Sequence, residues 1–448
     1  MGSYTYISAF IGNVIGFIAG CSLTWTSPEL KRLEEEDEVL GKMLDKDSSE
    51  IAWIGGLMPF GAIFGPIVFG YLANRIGRKP SLLIAGIPFT AGYLILAVAG
   101  NEWAFMVARF LIGVGVGAVF TVLPMYIAEV AEDSNRGALG SSMNCFICLG
   151  LLCTYSIGPY VSWVVFNVIL TICPIAFMPL FWFLGTETPH HLIGKGDIDG
   201  AKQVLHKLRG QDSEKEFNVI HETITNESEG SFKDLFQSKA NKKAVIISLG
   251  LLCLQQMSGI NAVLFFAEDI FDKAGTSLSP AVCSILVGLT QFLTSFVSPL
   301  LADRLGRKIL LVASAVGMFI AEVPLGVFFH LQNEDPSKVE DIKFLPILCL
   351  IFYIITYNSG FGPLPWSVSA ELFPNNVKSV ASTLSASVCW FFGFLIAFFF
   401  GQISSAIGQG PAFWIFSGFC AIAFVFSQFY VIETKGKNIS EIQKILEN

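Results

Sequence analysis

The chain has 448 residues, of which 53% are hydrophobic, only 14% are charged and 41 are phenylalanine. Soluble domains usually carry about 25% charged residues, so this composition excludes an ordinary soluble enzyme or nucleic-acid-binding domain. The formal net charge of −8 comes largely from the acidic run at 34–38. We interpret that run as a solvated loop, and attraction of cations to a pore mouth is the alternative.

Apolar stretches predict membrane helices along the whole chain. A helix needs about 20 apolar residues to cross the hydrocarbon core of a bilayer. Such stretches lie near 6–26, 51–73, 81–99, 103–128, 137–160, 163–184, 244–270, 280–302, 309–330, 343–369, 379–405 and 412–432. The sequence therefore predicts an all-α membrane protein with twelve transmembrane helices. Amphipathic spacing from Ile198 to Leu208 predicts short helices between the sixth and seventh stretches.

Three motifs occur twice in the same order. GYLANRIGRK at 70–79 returns as PLLADRLGRK at 299–308, the pattern at 124–136 returns at 365–378, and 187–189 returns at 433–435. The repetition predicts a duplicated unit, and many carriers consist of two membrane halves that rock about a central site. The predicted parts are an N-terminal six-helix bundle at 1–184, a linker with short helices at 185–243, a C-terminal six-helix bundle at 244–432 and a tail at 433–448.

The distribution of Lys and Arg predicts the orientation in the membrane. Most of these cations fall in the two repeated motifs, in the linker and in the tail, and we assign Arg109 to the same side. Because cytoplasmic loops carry an excess of positive residues, we expect both termini and the linker to be cytoplasmic.

The repeated RxGRK motif has two interpretations. Gly77 and Gly306 permit a sharp reversal of the chain, in a turn that we expect to span about two to four residues. The cations can simply fix the topology, or they can form a reversible clasp of ion pairs worth about 0–1 kcal/mol each. The candidate cytoplasmic gate residues are Arg75, Arg78, Glu129, Arg136 and Glu187 in the first half and Asp303, Arg304, Arg307, Glu371, Lys378 and Glu433 in the second.

Several motifs together resemble a known family. They include RFLIGVGVGAVFTVLPMYIAEV at 109–130, NRGALG at 135–140, QQMSGINA at 255–262, GFGPLPW at 360–366 and ETKGK at 433–437. This set resembles the sugar porter family of the major facilitator superfamily, and WTSPEL at 25–30 is most similar to its branch of insect facilitated trehalose transporters. The resemblance implies two pseudo-symmetric six-helix halves around a cavity that opens to each side in turn. It also implies that polar side chains of the C-terminal half bind a sugar.

Three amides mark the seventh predicted helix. Gln255 and Gln256 are adjacent, Asn261 follows about a turn and a half later, and Ser258-Gly259 weakens the helix between them. Amides offer the donors and acceptors that sugar hydroxyls require, and they are costly to bury in lipid. They therefore face a cavity or another helix. Interhelical hydrogen bonding is the alternative role, and the resemblance favours substrate binding.

Two tryptophans are candidates for stacking on a sugar ring. Trp366 follows Pro363 and Pro365, which interrupt the tenth predicted helix. A broken helix at membrane depth belongs beside a cavity, where an indole can stack and donate its N–H. Trp390 is the second candidate. The alternative for both is an interfacial belt of tryptophans.

The resemblance also identifies positions where this chain differs from the family. Asn144 stands at the glutamine of the fifth helix, Gln291 at the asparagine of the eighth, and Asn358 at an acid before the tenth-helix motif. Cys389 replaces the asparagine before Trp390. We take Asn144, Gln291 and Asn358 as further candidate substrate-binding residues, and the identity of the sugar stays open.

Coupling to protons has one candidate residue. Proton symporters of the family carry an aspartate in the first helix, and the matching position near Ser22 has no carboxylate, which favours uniport. Glu322 lies at membrane depth in the ninth predicted helix, and such an acid is a functional candidate.

The sequence thus predicts facilitative transport of a neutral sugar, either trehalose or a hexose such as glucose, by alternating access. The alternatives are a proton-coupled sugar symporter and a non-transporting sugar receptor. We find no catalytic or metal-binding constellation in the sequence, so we expect no enzymatic activity, no cofactor and no metal. We expect a monomer in the plasma membrane, with a sugar and the lipid bilayer as its partners.

Overall fold

A computed structural model describes residues 3–35, 39–45, 48–132, 135–210, 213–226 and 231–447. Part of the acidic run lies outside these residues, as do the side chains of Arg136 and Asp303. Before the linker the helices are α1 (Ser3–Thr24), α2 (Thr26–Glu35), α3 (Ser49–Ile76), α4 (Arg78–Val98), α5 (Glu102–Val130), α6 (Arg136–Ile157) and α7 (Trp163–Leu184).

The linker forms short helices, as its amphipathic spacing predicts. They are α8 (Pro189–Gly194), α9 (Ile198–Arg209) and α10 (Ser213–Asn226). The helices of the second half are α11 (Lys239–Met257), α12 (Ile260–Phe265), α13 (Ala267–Ala274), α14 (Pro280–Ser295), α15 (Ser298–Leu305), α16 (Arg307–Glu334), α17 (Leu345–Ser359), α18 (Leu364–Leu372), α19 (Asn375–Ile407), α20 (Gln409–Phe429) and α21 (Ile439–Glu447).

Eleven helical stretches among the described residues are long and apolar enough to cross a membrane. The remaining predicted span, 280–302, is divided between α14 and α15. At 16 residues, α14 is about 24 Å long, which is shorter than the hydrocarbon core. The break has a physical reason, because Pro299 has no N–H to donate to the carbonyl of Ser295. The prediction of an all-α membrane protein with twelve spans is confirmed.

Each hinge motif turns on a single glycine. Helix α3 ends at Ile76 and α4 begins at Arg78, with Gly77 at a φ of 112°. The second hinge repeats this geometry at Gly306, which has a φ of 92°. The turn is shorter than the two to four residues that we expected, since a glycine at positive φ reverses the chain alone. We call the face with these glycines the hinge side and the opposite face the far side.

The two halves pack through long antiparallel helices. Along α3 and α19, the ring of Trp53 lies 4.7 Å from that of Phe398, and Ser387 Oγ donates to the carbonyl of Ile63 at 2.9 Å. The linker is attached to the first half, because Arg209 donates to backbone carbonyls at the end of α5 at 2.8 Å. Helix α19 also packs against α5, and α11 and α12 pack on α19.

Arg109 does not lie on the hinge side, and its assignment to that side was wrong. It is fully buried in α5, near the far-side end of that helix. Its guanidinium stacks over the ring of Trp25 at 4.7 Å and donates to the carbonyls of Ile54 at 3.2 Å and Ser22 at 3.4 Å. An aromatic face and two carbonyls offset part of the desolvation cost of this cation.

Candidate functional site

A chain of hydrogen-bonded amides lies at the centre of the second half. Asn261 Nδ2 donates to Gln256 Oε1 at 2.6 Å, and Gln256 Nε2 lies 3.4 Å from Gln255 Oε1. Gln255 Nε2 donates in turn to the carbonyls of Phe361 and Gly362 at 2.6 and 2.7 Å. The three amide side chains are buried. The structure therefore brings the predicted amides together with the break in the tenth span.

The break in the seventh span creates this geometry. Gly259 adopts a left-handed conformation with a φ of 86°, which ends α11 and starts α12. Helix α19 closes the other side, where Gln256 Nε2 contacts Cys389 Sγ at 3.2 Å. A Cβ atom on Gly393 would lie only 2.8 Å from Asn261 Nδ2, so a larger residue there would displace the amide.

The amide of Asn358 is used within the protein. Its Nδ2 donates to the carbonyl of Gln291 at 3.0 Å and to Thr294 Oγ1 at 2.9 Å, which joins α17 to the end of α14. Gln291 Oε1 is buried and finds no partner among the described residues. Asn144 lies on α6 of the other half, where its Oδ1 accepts a weak bond from Cys148 Sγ at 3.9 Å. Of these three, Gln291 retains an unused buried acceptor.

The two tryptophans lie together with an aromatic residue that the sequence did not single out. The ring of Phe120, on α5, lies 5.7 Å from Trp366 and 5.2 Å from Trp390. Trp390 is 4% exposed, so it belongs to no interfacial belt. Its Nε1 finds no acceptor among the described residues. The candidate site thus includes aromatic faces and a buried indole N–H without a partner among the described residues.

The first hinge cluster braces the turn at Gly77. Arg78 Nη2 pairs with Glu129 Oε1 at 2.8 Å, while Glu187 accepts the backbone N–H groups of Arg78 at 3.0 Å and Lys79 at 3.2 Å. Burial raises the pKa of Glu187. His191, which the sequence analysis left aside, accepts from Arg78 Nη1 at 3.2 Å, and burial together with Arg78 lowers its pKa.

The second hinge cluster repeats this arrangement. Arg307 Nη2 pairs with Glu371 Oε1 at 3.1 Å, and Glu433 accepts the N–H groups of Arg307 and Lys308, each at 3.0 Å. Burial alone would raise the pKa of Glu433, but the N–H groups of Lys435, Arg307 and Lys308 together hold the pKa below its usual value. Both glutamates act mainly as acceptors for the first turn of the next helix.

The remaining gate candidates lie elsewhere. Arg75 is exposed and donates to Tyr71 OH at 2.5 Å, and Arg304 is exposed while its carbonyl accepts from Lys435 Nζ. Lys378 lies in α19. Each hinge cluster joins helix ends within one half, so these contacts stiffen a half.

Contacts between the halves on the far side were missed by the sequence analysis. The N–H of Glu268 donates to Ser27 Oγ at 3.1 Å, and Lys31 Nζ pairs with Asp272 Oδ1 at 3.2 Å. Tyr155 OH donates to the carbonyl of Leu264 at 2.7 Å. These contacts join α2 and α6 of the first half to α12 and α13 of the second, and no repeated motif marks them.

The acid at membrane depth lies on α16, and its hydrogen-bond contact among the described residues is with α20. Glu322 is buried in α16, its Oε2 contacts Cys420 Sγ on α20 at 3.3 Å, and its Oε1 finds no partner among the described residues. Ser22, at the position that would hold a coupling aspartate, shares a hydrogen bond of 2.6 Å with Tyr93 OH.

Two repeated helical halves around a buried, uncharged polar site define a membrane carrier. The family described as "Sugar (and other) transporter" matches residues 3–446, and the chain belongs to it. The protein is therefore a multi-pass membrane transporter and not an enzyme.

Similar proteins support this assignment. A facilitated trehalose transporter of Polypedilum vanderplanki is 35% identical over 98% of this chain and 88% of its own length. One of Aedes aegypti is 34% identical over 98% of this chain, which spans 55% of that protein. A partially occluded inward-open structure of the xylose transporter XylE from E. coli matches with a TM-score of 0.83 and 23% identity, covering 97% of this chain and 100% of that one. This last likeness identifies the fold.

Proposed function

We propose that this protein lets a neutral sugar, trehalose or a hexose such as glucose, equilibrate across the membrane. The observation that carries the proposal is the buried amide chain next to Trp390, whose indole N–H finds no acceptor among the described residues. Uncharged groups of this kind match the hydroxyls of a sugar and would reject an ion. The relatives named as facilitated trehalose transporters support the same class of substrate.

Weak binding suits such a carrier. Each net hydrogen bond contributes about 0.5–1.5 kcal/mol, and a millimolar dissociation constant needs about −4 kcal/mol. A few amide–hydroxyl bonds and one stacked indole supply this free energy after the cost of ordering the ligand. Tighter binding would slow the release of the sugar.

The surroundings of Arg109 favour uniport. Its described partners are two backbone carbonyls and the indole of Trp25, and Ser22 is engaged with Tyr93. A proton symporter needs a titrating group that responds to the substrate. The serine hydroxyl at position 22 does not titrate in the physiological range. Symport is the second candidate function because Glu322 is a buried acid with one oxygen that finds no partner in the described part of the chain.

Alternating access follows from where the halves are joined. Contacts on the far side close that face, while each hinge cluster stiffens its own half, so the halves can tilt and open toward the hinge side. The cations of the hinge motifs support a cytoplasmic position for that side, since cytoplasmic loops carry an excess of Lys and Arg. One chain contains both halves, and it acts as a monomer in the plasma membrane with both termini cytoplasmic.

Sugar uptake into proteoliposomes tests this proposal. Labelled glucose and labelled trehalose are offered to wild type, to Gln256→Ala and to the control Gln402→Ala, which changes an exposed residue of α19. Uniport predicts uptake that stops at the external concentration and ignores a pH gradient. Gln256→Ala lowers the uptake, and Gln402→Ala leaves it unchanged.

Other outcomes identify the alternatives. Accumulation above the external concentration that a proton gradient drives and Glu322→Gln abolishes would establish symport. Binding of a sugar without flux would establish a receptor. Equal uptake of every sugar by wild type and Gln256→Ala would remove the assigned site.

A further inference from the structure

Phe120, on α5, is a residue of the first half that lies in the candidate site. Its ring covers Trp366 and Trp390 at centroid distances of 5.7 and 5.2 Å, and the residue is half-buried. Contacts of this kind contribute about 0.5–1.5 kcal/mol beyond the burial of area. Phe120 therefore fills space beside both indoles, where a sugar ring stacked on either of them would have to fit.

The backbone beneath Phe120 is held in place. A Cβ atom on Gly113 would collide with the carbonyl of Met58, and one on Gly117 with the carbonyl of Ala62. Helices whose backbones touch in this way have little freedom to shift. Because α5 is fixed against α3 just before Phe120, only rotation of the phenyl side chain can clear the indoles while the two halves keep the arrangement of this structure.

The opposite wall is equally close-packed. A Cβ atom on Gly393 would meet Asn261 Nδ2 at 2.8 Å and Gln256 Oε1 at 3.2 Å, so α19 already touches the amides. Helix α19 also packs on α3, where the ring of Phe60 lies 5.1 Å from that of Phe394. In this arrangement of the halves, the side chain at position 120 sets the space between the two walls.

We propose that Phe120 limits the size of the substrate, so that this chain transports a monosaccharide in preference to a disaccharide; the inference rests on the proposed sugar transport. A single sugar ring requires only that the phenyl rotates off one indole. A second ring would have to occupy the space of the phenyl itself, and its hydroxyls would lose their hydrogen bonds to water against an apolar wall.

Uptake of labelled glucose and labelled trehalose into proteoliposomes measures this limit. The variants are Phe120→Ala, Phe120→Leu and the control Phe110→Ala. Phe110 is on the same helix, but its ring lies against Phe60 and Phe64 at 6.3 and 6.0 Å. Removing one group from a packed pocket changes discrimination by about tenfold or more. The ratio of trehalose to glucose uptake therefore rises about tenfold in Phe120→Ala, less in Phe120→Leu, and stays unchanged in the control.

Competition gives a second readout, since unlabelled trehalose inhibits glucose uptake by Phe120→Ala far more than by wild type. Wild type that takes up both sugars equally would overturn the size limit. So would a ratio that neither variant at position 120 changes while glucose still enters, and both results leave sugar transport intact. Folded wild-type protein that takes up neither sugar would instead overturn the proposed transport, and the size limit with it.

Discussion

Asn261 donates from Nδ2 to Gln256 Oε1 at 2.6 Å across the left-handed turn at Gly259. On an unbroken helix two residues five positions apart would point in different directions, since each step turns by about 100°. The break lets one amide orient the next. Asn261 donates to Gln256, Gln256 to Gln255, and Gln255 to the carbonyls of the tenth span. The amide oxygen of Asn261 accepts from none of these amides and is left for a ligand.

Substitution of Asn261 removes the first of the three hydrogen-bonded amides. In Asn261→Ala, Gln256 Oε1 loses its donor and the ligand loses the terminal amide, so two hydrogen bonds of about 0.5–1.5 kcal/mol each are removed. We expect KM for glucose uptake to rise about tenfold. The control Asn333→Ala removes an exposed amide from the last turn of α16. An unchanged KM in Asn261→Ala would show that the amide chain is structural only.

The hinge glycines predict a stability effect. In Gly77→Ala the new methyl would sit at a φ of 112° and collide with Glu187 Oε2. The strain of positive φ and the lost acceptor for the N–H groups of Arg78 and Lys79 together cost about 2–3 kcal/mol. We expect a lower melting temperature of the detergent-solubilised protein.

Gly140→Ala is the matched control for this change. Gly140 lies in α6 with nothing within 4 Å of an added Cβ atom, and alanine is the better helix former by about 1 kcal/mol. Its melting temperature therefore stays equal to that of wild type or rises. Equal melting temperatures for Gly77→Ala and wild type would contradict the bracing role of Glu187.

The hinges were predictable from sequence because each of their parts lies in a motif that occurs twice. The glycine at positive φ acts within its own turn, whereas Glu187 and Glu433 accept N–H groups 109 and 126 positions away and were found through the repetition of their motif. The exceptions depend on tertiary contacts. Arg109 can be buried because Trp25 and the carbonyls of Ser22 and Ile54 lie around it, which no spacing along α5 reveals.

The residues of the candidate site likewise fall into those that the sequence indicates and those that only tertiary contacts reveal. Gln255, Gln256 and Trp366 belong to motifs that interrupt helices, and a polar group or a break at membrane depth is visible in a sequence. Phe120 is one of 41 phenylalanines, and only its position against two indoles distinguishes it. The far-side contact of Ser27 with Glu268 joins residues 241 positions apart, so no local pattern indicates it.

Acidity stabilises the closed far side. Burial raises the pKa of Glu268 to about 7 from its usual 4.5, and this residue follows the candidate membrane span Lys239–Phe265. The closed state holds a proton that the hydrated, opened state releases. Stabilisation of closure is therefore complete below about pH 4.5 and is lost as the pH rises through about 7. The ionisable groups that face Glu268 are Lys31, Arg32, Glu35, Asp272 and Tyr155.

Hydrogen exchange of α13 measures this dependence. After correction for intrinsic exchange, we expect amide protection in α13 to fall several-fold between pH 5 and pH 8 in wild type. Glu268→Gln stays protected at both values because its amide cannot ionise. The control Glu340→Gln, which changes an exposed acid before α17, keeps the wild-type dependence. A pH dependence that persists in Glu268→Gln would assign the effect to another group.

Charge reversal at the far side gives the last prediction. Lys31 and Asp272 pair at 3.2 Å with side chains 22% and 50% exposed, so their attraction is worth about 0–1 kcal/mol. Lys31→Glu places two carboxylates opposite each other, and we expect exchange in α13 to increase a few-fold. The double variant Lys31→Glu with Asp272→Lys restores the attraction and the protection, and high salt reduces both effects.

In the control Lys338→Glu the partner, Glu334, is in the same half, so exchange in α13 stays unchanged. Failure of the double variant to restore protection would show that this pair does not hold the halves together.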